Sequence, residues 1–276
     1  MPDWIVFPLV GLAVGTYGTI IGAGGGFLFV PLLLLVWKLP HEQAIGTSLF
    51  VVSLSALSGT AVYLKQKRID YRSAILFLIA GVPGAVLGAR VPAELSTRMV
   101  LAVFGLLLAA LGVWLTLHPE RRAAALAADR GPEPAVAPGR SGRVLVDAQG
   151  TRYEWSFRES HGIALSFVLG FVSSILGIGG GIIHVPAMTH LFHFPAHVAT
   201  ATSHLVLAAT ALIGSISHAR LGNVVWGPAL LLATGAVVGA QIGGRIAPHV
   251  SGRWVIRALA LALVVLSARL LWSAAD

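Results

Sequence analysis

Cysteine is absent from all 276 residues, and charge is scarce: Asp, Glu, Lys and Arg make up 11% of the chain, against about a quarter in an average soluble domain. The missing thiols exclude disulfides, thiolate nucleophiles and thiolate-held metal clusters, and say nothing about the compartment. The missing charge excludes a water-soluble globule. β-Barrel alternation is absent as well. What remains is 56% hydrophobic with a mean hydropathy of +0.84, in stretches near the roughly 20 residues that a helix needs to cross a bilayer. The composition is that of an all-α polytopic membrane protein whose first partner is the lipid bilayer. The formal charge of +8 does not point to nucleic acid, because the 19 Lys and Arg sit mostly in short connections between apolar segments, where they orient the chain. Asp3 stands where a signal peptide would carry a basic residue, so the first apolar segment is expected to be retained.

Apolar segments fall at 4–21, 27–39, 42–64, 73–92 and 99–117, and again at 161–176, 182–194, 197–218, 227–247 and 254–272. Between the two sets runs a polar linker, 118–160. The sets share one rhythm at an offset of 155 residues, which lays Gly22-Ala-Gly-Gly-Gly26 on Gly177-Ile-Gly-Gly-Gly181, Val30-Pro31 on Val185-Pro186, Pro40 on Pro195 and Thr47-Ser48 on Thr202-Ser203. Three regions follow: a first membrane repeat (1–117), the linker (118–160) and a second membrane repeat (161–276). The segment 27–39 covers only about 20 Å as a helix. Counted as a crossing, it inverts the second copy, five plus five; read as re-entrant, it leaves four plus four in parallel. Lys65, Lys67, Arg68 and Arg72 crowd one loop of the first copy, whereas the matching loop of the second holds only Arg220. Unequal charge on equivalent loops favours inversion, with the crowded loop and the linker in the cytoplasm. Within the linker, Arg143–Asp147 and Thr151–Trp155 flank Ala-Gln-Gly as a small hairpin, read as part of a tether.

Gly24, Gly25, Gly26 and their twins Gly179, Gly180, Gly181 interrupt apolar runs, where broken backbone must line something polar or be buried in protein. A helix restarting after such a break presents unpaired N–H groups and a positive dipole end, which suits an anion. Close packing of small residues is the alternative. Thr47, Ser48, Thr202 and Ser203 follow the prolines by seven or eight residues, about 10–12 Å deep, either as donors in the same region or bonded to neighbouring helices. Each of the 11 acids is terminal, in a loop, in the linker or at a segment end. A core without carboxylates argues for anionic or neutral cargo and against a carboxylate-ligated metal. His184 and His204 lie near the depth of the glycines and would handle substrate or protons, or simply pack. His190, His193 and His197 leave open a His-dependent divalent metal-ion permease. Arg90 with Arg245 and Arg98 with Arg253 flank the fourth and fifth segments, as topology anchors or as a cationic funnel. No catalytic set can be assembled in the core, so no enzyme is expected.

Gly-x-Gly-Gly-Gly-(x)3-Val-Pro followed by Pro-(x)6-Thr-Ser, present in both halves, resembles the TauE/SafE family of sulfite and organosulfonate exporters over 4–117 and 161–272. The resemblance implies a bacterial cytoplasmic-membrane secondary transporter of small anions, without a cofactor. A site drawn from the glycines and Thr-Ser pairs of both copies and from the two histidines of the second copy is the resulting expectation.

Overall fold

A computed structural model describes residues 3–117 and 139–275. Ten helices follow one another as α1 (Asp3–Ile21), α2 (Gly26–Leu35), α3 (His41–Lys65), α4 (Tyr71–Gly88), α5 (Thr97–Leu117), α6 (Glu159–Leu176), α7 (Gly181–His190), α8 (Ala196–Arg220), α9 (Trp226–Ile246) and α10 (Gly252–Ala275). Seven of the described helices are long and apolar enough to cross a membrane: α1, α3, α4, α5, α6, α8 and α9. The chain is a mostly helical, polytopic membrane protein. α2 and α7 are only 10 residues each. Single-turn 3-10 helices at Val91–Glu94 and Ala247–His249 lead into α5 and α10.

Punctuation follows the residues. Glycines end α1 and α6, and Pro40 and Pro195 stand just ahead of α3 and α8, where a fixed φ suits helix entry. Small residues then set the packing directions. Gly11 touches Leu232 and Gly239 touches Thr16, so α1 and α9 run parallel; Gly81 touches Ser166 and Gly88 touches Phe171, so α4 and α6 do too. Gly59 meets His204 while Gly214 meets Leu49, so the two 25-residue helices α3 and α8 run antiparallel. Gly105 against Leu271 and Gly112 against Val264 make α5 and α10 antiparallel as well. α2 doubles back along α1: Phe7, near the start of α1, stacks on Trp37, just past α2, at 4.7 Å.

The linker departs from the tether expected of it. Residues 118–138, with most of its Pro-Gly punctuation, lie outside the described residues. The rest forms an antiparallel hairpin, β1 (Ser141–Val146) and β2 (Arg152–Phe157), with Arg143 opposite Trp155. An isolated hairpin is marginal in water, and this one is instead docked. Tyr153, Trp155 and Phe157 are buried in a cluster with Phe77, Phe192 and Phe194. Arg68, at the end of α3, bonds the Asp147 carboxylate at 2.9 and 3.1 Å, and Ala148 N–H donates to the Gln66 carbonyl at 2.9 Å. Arg143 pairs with Glu159 and, at 3.4 Å, with Asp70.

Candidate functional site

The two glycine breaks meet in the middle of the molecule. Gly22, Gly24 and Gly25, like Gly177, Gly179 and Gly180, hold φ between 70° and 87°, a region costly for other residues. A methyl on Gly26 would lie 2.7 Å from the Ile178 carbonyl oxygen, and one on Gly181 would lie 2.6 Å from that of Gly22. Leu207 sits between the breaks. A methyl on Gly24 or on Gly179 would fall 2.4 Å from one or the other of its two terminal carbons. The backbones approach closely because no side chain intervenes.

The Thr-Ser hydroxyls hold this crossing together. Thr47 Oγ1 accepts from Val225 N–H, at the start of α9, and Thr202 Oγ1 accepts from Asp70 N–H, at the start of α4, each at 3.0 Å. Ser48 Oγ donates to the Gly177 carbonyl at 2.8 Å, and Ser203 Oγ donates to that of Gly22 at 3.4 Å. All four bonds reach from one half of the chain to the other, and the partners themselves are offset by 155 residues.

The histidines are placed apart. His204 turns toward α1 and α3, 3.5 Å from Thr19 Oγ1 and edge-on to the Tyr63 ring at 5.4 Å; Gly59 leaves room for its ring. His184 turns toward α6, with Nε2 3.2 Å from Ser166 Oγ and its ring 5.3 Å from that of Phe77. Beside it lies a small buried cavity lined by Ser166, Ser173, Gly179, Gly180, His184 and Thr210. Its volume of about 10 Å³ holds roughly one water molecule.

The first half closes the corresponding place. At the 155-residue offset Phe29 stands for His184, Val14 for Leu169 and Gly11 for Ser166. A methyl on Gly25 would meet Val14 and Phe29 at 2.8 and 3.3 Å, whereas one on Gly180 would approach Ser173 no closer than 3.5 Å. Of the twelve residues expected from sequence, Gly179, Gly180 and His184 line the cavity. The others form the crossing around it or, as His204 does, face away. Ser166, Ser173 and Thr210 were missed. Their only sequence signal is spacing: Ser166 and Ser173 are seven apart on α6, as Ser203 and Thr210 are on α8, which places each pair on one helix face. Among the described residues no three His, Asp or Glu side chains come together as a metal site. His190 instead packs edge-on against Trp114 at 5.0 Å.

Residues 7–270 match the family described as "Sulfite exporter TauE/SafE". The chain belongs to the TauE/SafE family. It is 33% identical to "Probable membrane transporter protein YunE" of Bacillus subtilis (strain 168), over 98% of each chain. A "Probable membrane transporter protein" of Xylella fastidiosa (strain Temecula1) is 27% identical over 96% of this chain and 92% of its own. YjnA of Bacillus subtilis, also named a probable membrane transporter protein, is 29% identical over 89% and 91%. No solved structure matches. Family, relatives and apolar helices agree on a multi-pass TauE/SafE membrane transporter.

Proposed function

We propose that this chain is a secondary transporter of the cytoplasmic membrane that exports a small sulfur oxyanion, sulfite or an organosulfonate. The observation that carries this reading is the His184 cavity: hydroxyls of Ser166, Ser173 and Thr210 and a broken-helix backbone at Gly179–Gly180, with no carboxylate lining it. Hydroxyl donors beside a positive helix end replace the hydration of an anion, and the lack of a negative group disfavours a cation; the Thr210 hydroxyl, which donates to the Val206 carbonyl at 2.9 Å, would turn to the anion on binding. His184 would give or take a proton there.

The two membrane regions, 1–117 and 161–276, are read as an inverted five-plus-five repeat, with the linker region 118–160 on the cytoplasmic side. Antiparallel α3 and α8 together with parallel α1 and α9 support inversion, because a parallel duplication would send α3 and α8 across in the same direction. A cavity that holds about one water cannot hold sulfite, so transport requires α6 and α7 to part.

Flux from proteoliposomes tests the reading. Sulfite or methanesulfonate should cross, and Zn²⁺ or Ni²⁺ should not. His184→Phe, which installs the side chain found at the matching place of the first half, should lower anion flux at least ten-fold, and Thr210→Val should lower it several-fold. Metal-ion flux without anion flux, or unchanged anion flux in both variants, overturns it.

A further inference from the structure

A second polar pocket lies away from the crossing, at the docked hairpin. The free edge of β1 and the connection between α3 and α4 enclose a groove of about 570 Å³, within the range that takes drug-sized ligands. Its chemistry is two-sided. Lys67, Arg72 and Arg143 bring positive charge, of which Arg72 is shared with Glu159 at 3.2 Å and Arg143 with Asp70 and Glu159; Tyr71, Val144 and Val146, each more than half exposed, bring apolar wall. The one carboxylate lining it, Asp70, is already engaged by Ser73 and by Arg143.

Two donors lining this groove make no hydrogen bond among the described residues: Arg143 Nε–H, which stands 3.4 Å from the Asp70 carboxylate as an ion pair, and the Trp155 indole. Trp155 lines it and is 3% exposed, yet its indole Nε1–H makes no hydrogen bond among the described residues. A buried donor without an acceptor is costly, and natural structures rarely leave one so unless something else supplies the acceptor. The indole can only donate. The missing partner is therefore an acceptor, and beside Lys67, Arg72 and Arg143 an anionic one.

We infer that this groove binds a soluble organic anion with an acid head and a short alkyl tail. The head accepts from Trp155 Nε1–H and is held by Lys67 and Arg72; the tail lies on Val144, Val146 and Tyr71. A bare oxyanion would leave most of the 570 Å³ unused, and a two-chain phospholipid would overfill it. The inference does not rest on the transport reading, because none of these residues lines the His184 cavity.

Calorimetric titration of the full chain in phosphatidylcholine nanodiscs tests it, with sulfite, butanesulfonate and hexanesulfonate as probes. Affinity should rise from sulfite to butanesulfonate to hexanesulfonate. Trp155→Phe keeps the ring packing and removes the donor, and should weaken hexanesulfonate about ten-fold; Lys67→Gln, an exposed change that leaves the fold intact, should weaken it several-fold. Lys38→Gln, an exposed loss of one positive charge that lines neither this groove nor the His184 cavity, should leave it unchanged. Equal affinity in wild type and Lys67→Gln overturns the proposal, as does equal binding of hexyltrimethylammonium, which would mean partition of the tail alone. Loss of hexanesulfonate binding in phosphatidylglycerol nanodiscs assigns the groove to lipid head groups and overturns it too.

Discussion

Thr47 and Thr202 show that a hydroxyl can serve the fold as an acceptor while its O–H still has a donation to make. Both were expected as donors to an anion, and both accept a backbone N–H at the start of a helix in the opposite half. Thr→Val at either position retains the shape and strands that N–H, so each should cost about 1 kcal/mol of stability, as the loss of a cap does. The thermal midpoint should drop in both variants. A Val variant that keeps its midpoint and loses anion binding would return the hydroxyl to the site. Gly24 and Gly179 are stricter. Ala there meets Leu207 and must also adopt a positive φ, which adds about 1–2 kcal/mol of backbone strain to about 1–3 kcal/mol of overpacking. The rhythm shared at an offset of 155 residues marked these positions in the sequence. The partners of the two threonines lie 178 and 132 residues away, and periodicity carries no information about contacts at that separation.

At the scale of elements, the helices were legible. Apolar segments read at 42–64, 99–117 and 197–218 appear as His41–Lys65, Thr97–Leu117 and Ala196–Arg220, because a bilayer demands continuous apolar helix and prolines and glycines end it. The hairpin's strands were legible too, by alternation, and its docking was not. What fastens it is a buried ion pair, Arg68 with Asp147, whose members read in sequence as a loop charge and a linker charge. Burial pushes the Asp147 carboxyl up, but the Thr151 N–H, the Arg68 guanidinium and the Gln149 N–H outweigh that and hold it below the ordinary carboxylate range. A carboxyl with its pKa depressed by folding contributes stability that is fully present above its unfolded pKa, near 4, and lost as pH falls through the folded value. Asp147→Asn leaves Arg68 buried without a counter-charge and should cost about 3–5 kcal/mol at neutral pH. The gap in thermal midpoint between wild type and Asp147→Asn should stay constant from pH 7 to about 5 and narrow below 4. A gap that widens in acid would mean the carboxylate is not what holds the hairpin.

For the whole molecule, the two halves are tied rather than merely adjacent. Each glycine break is roofed by the other, each Thr of a pair caps a helix of the opposite half, and Tyr63 and His218, equivalent at the same offset, bond the carbonyls of Thr19 and Ser174, themselves equivalent. The polar cavity is not shared so evenly, since it opens beside His184 in one half and Phe29 fills its counterpart. Matching residues thus tie the halves together while departures from the match open the cavity, and the proposed inversion places the matching loops of the two halves on opposite sides of the membrane. A chain without cysteine makes that directly measurable. Lys67, after α3, and Leu221, after α8, are both exposed. With the basic loop in the cytoplasm, Lys67→Cys should resist an impermeant maleimide in intact cells and react once the cells are permeabilised, whereas Leu221→Cys should react in both. If the two positions label alike in intact cells, the loops share one face and the halves are parallel.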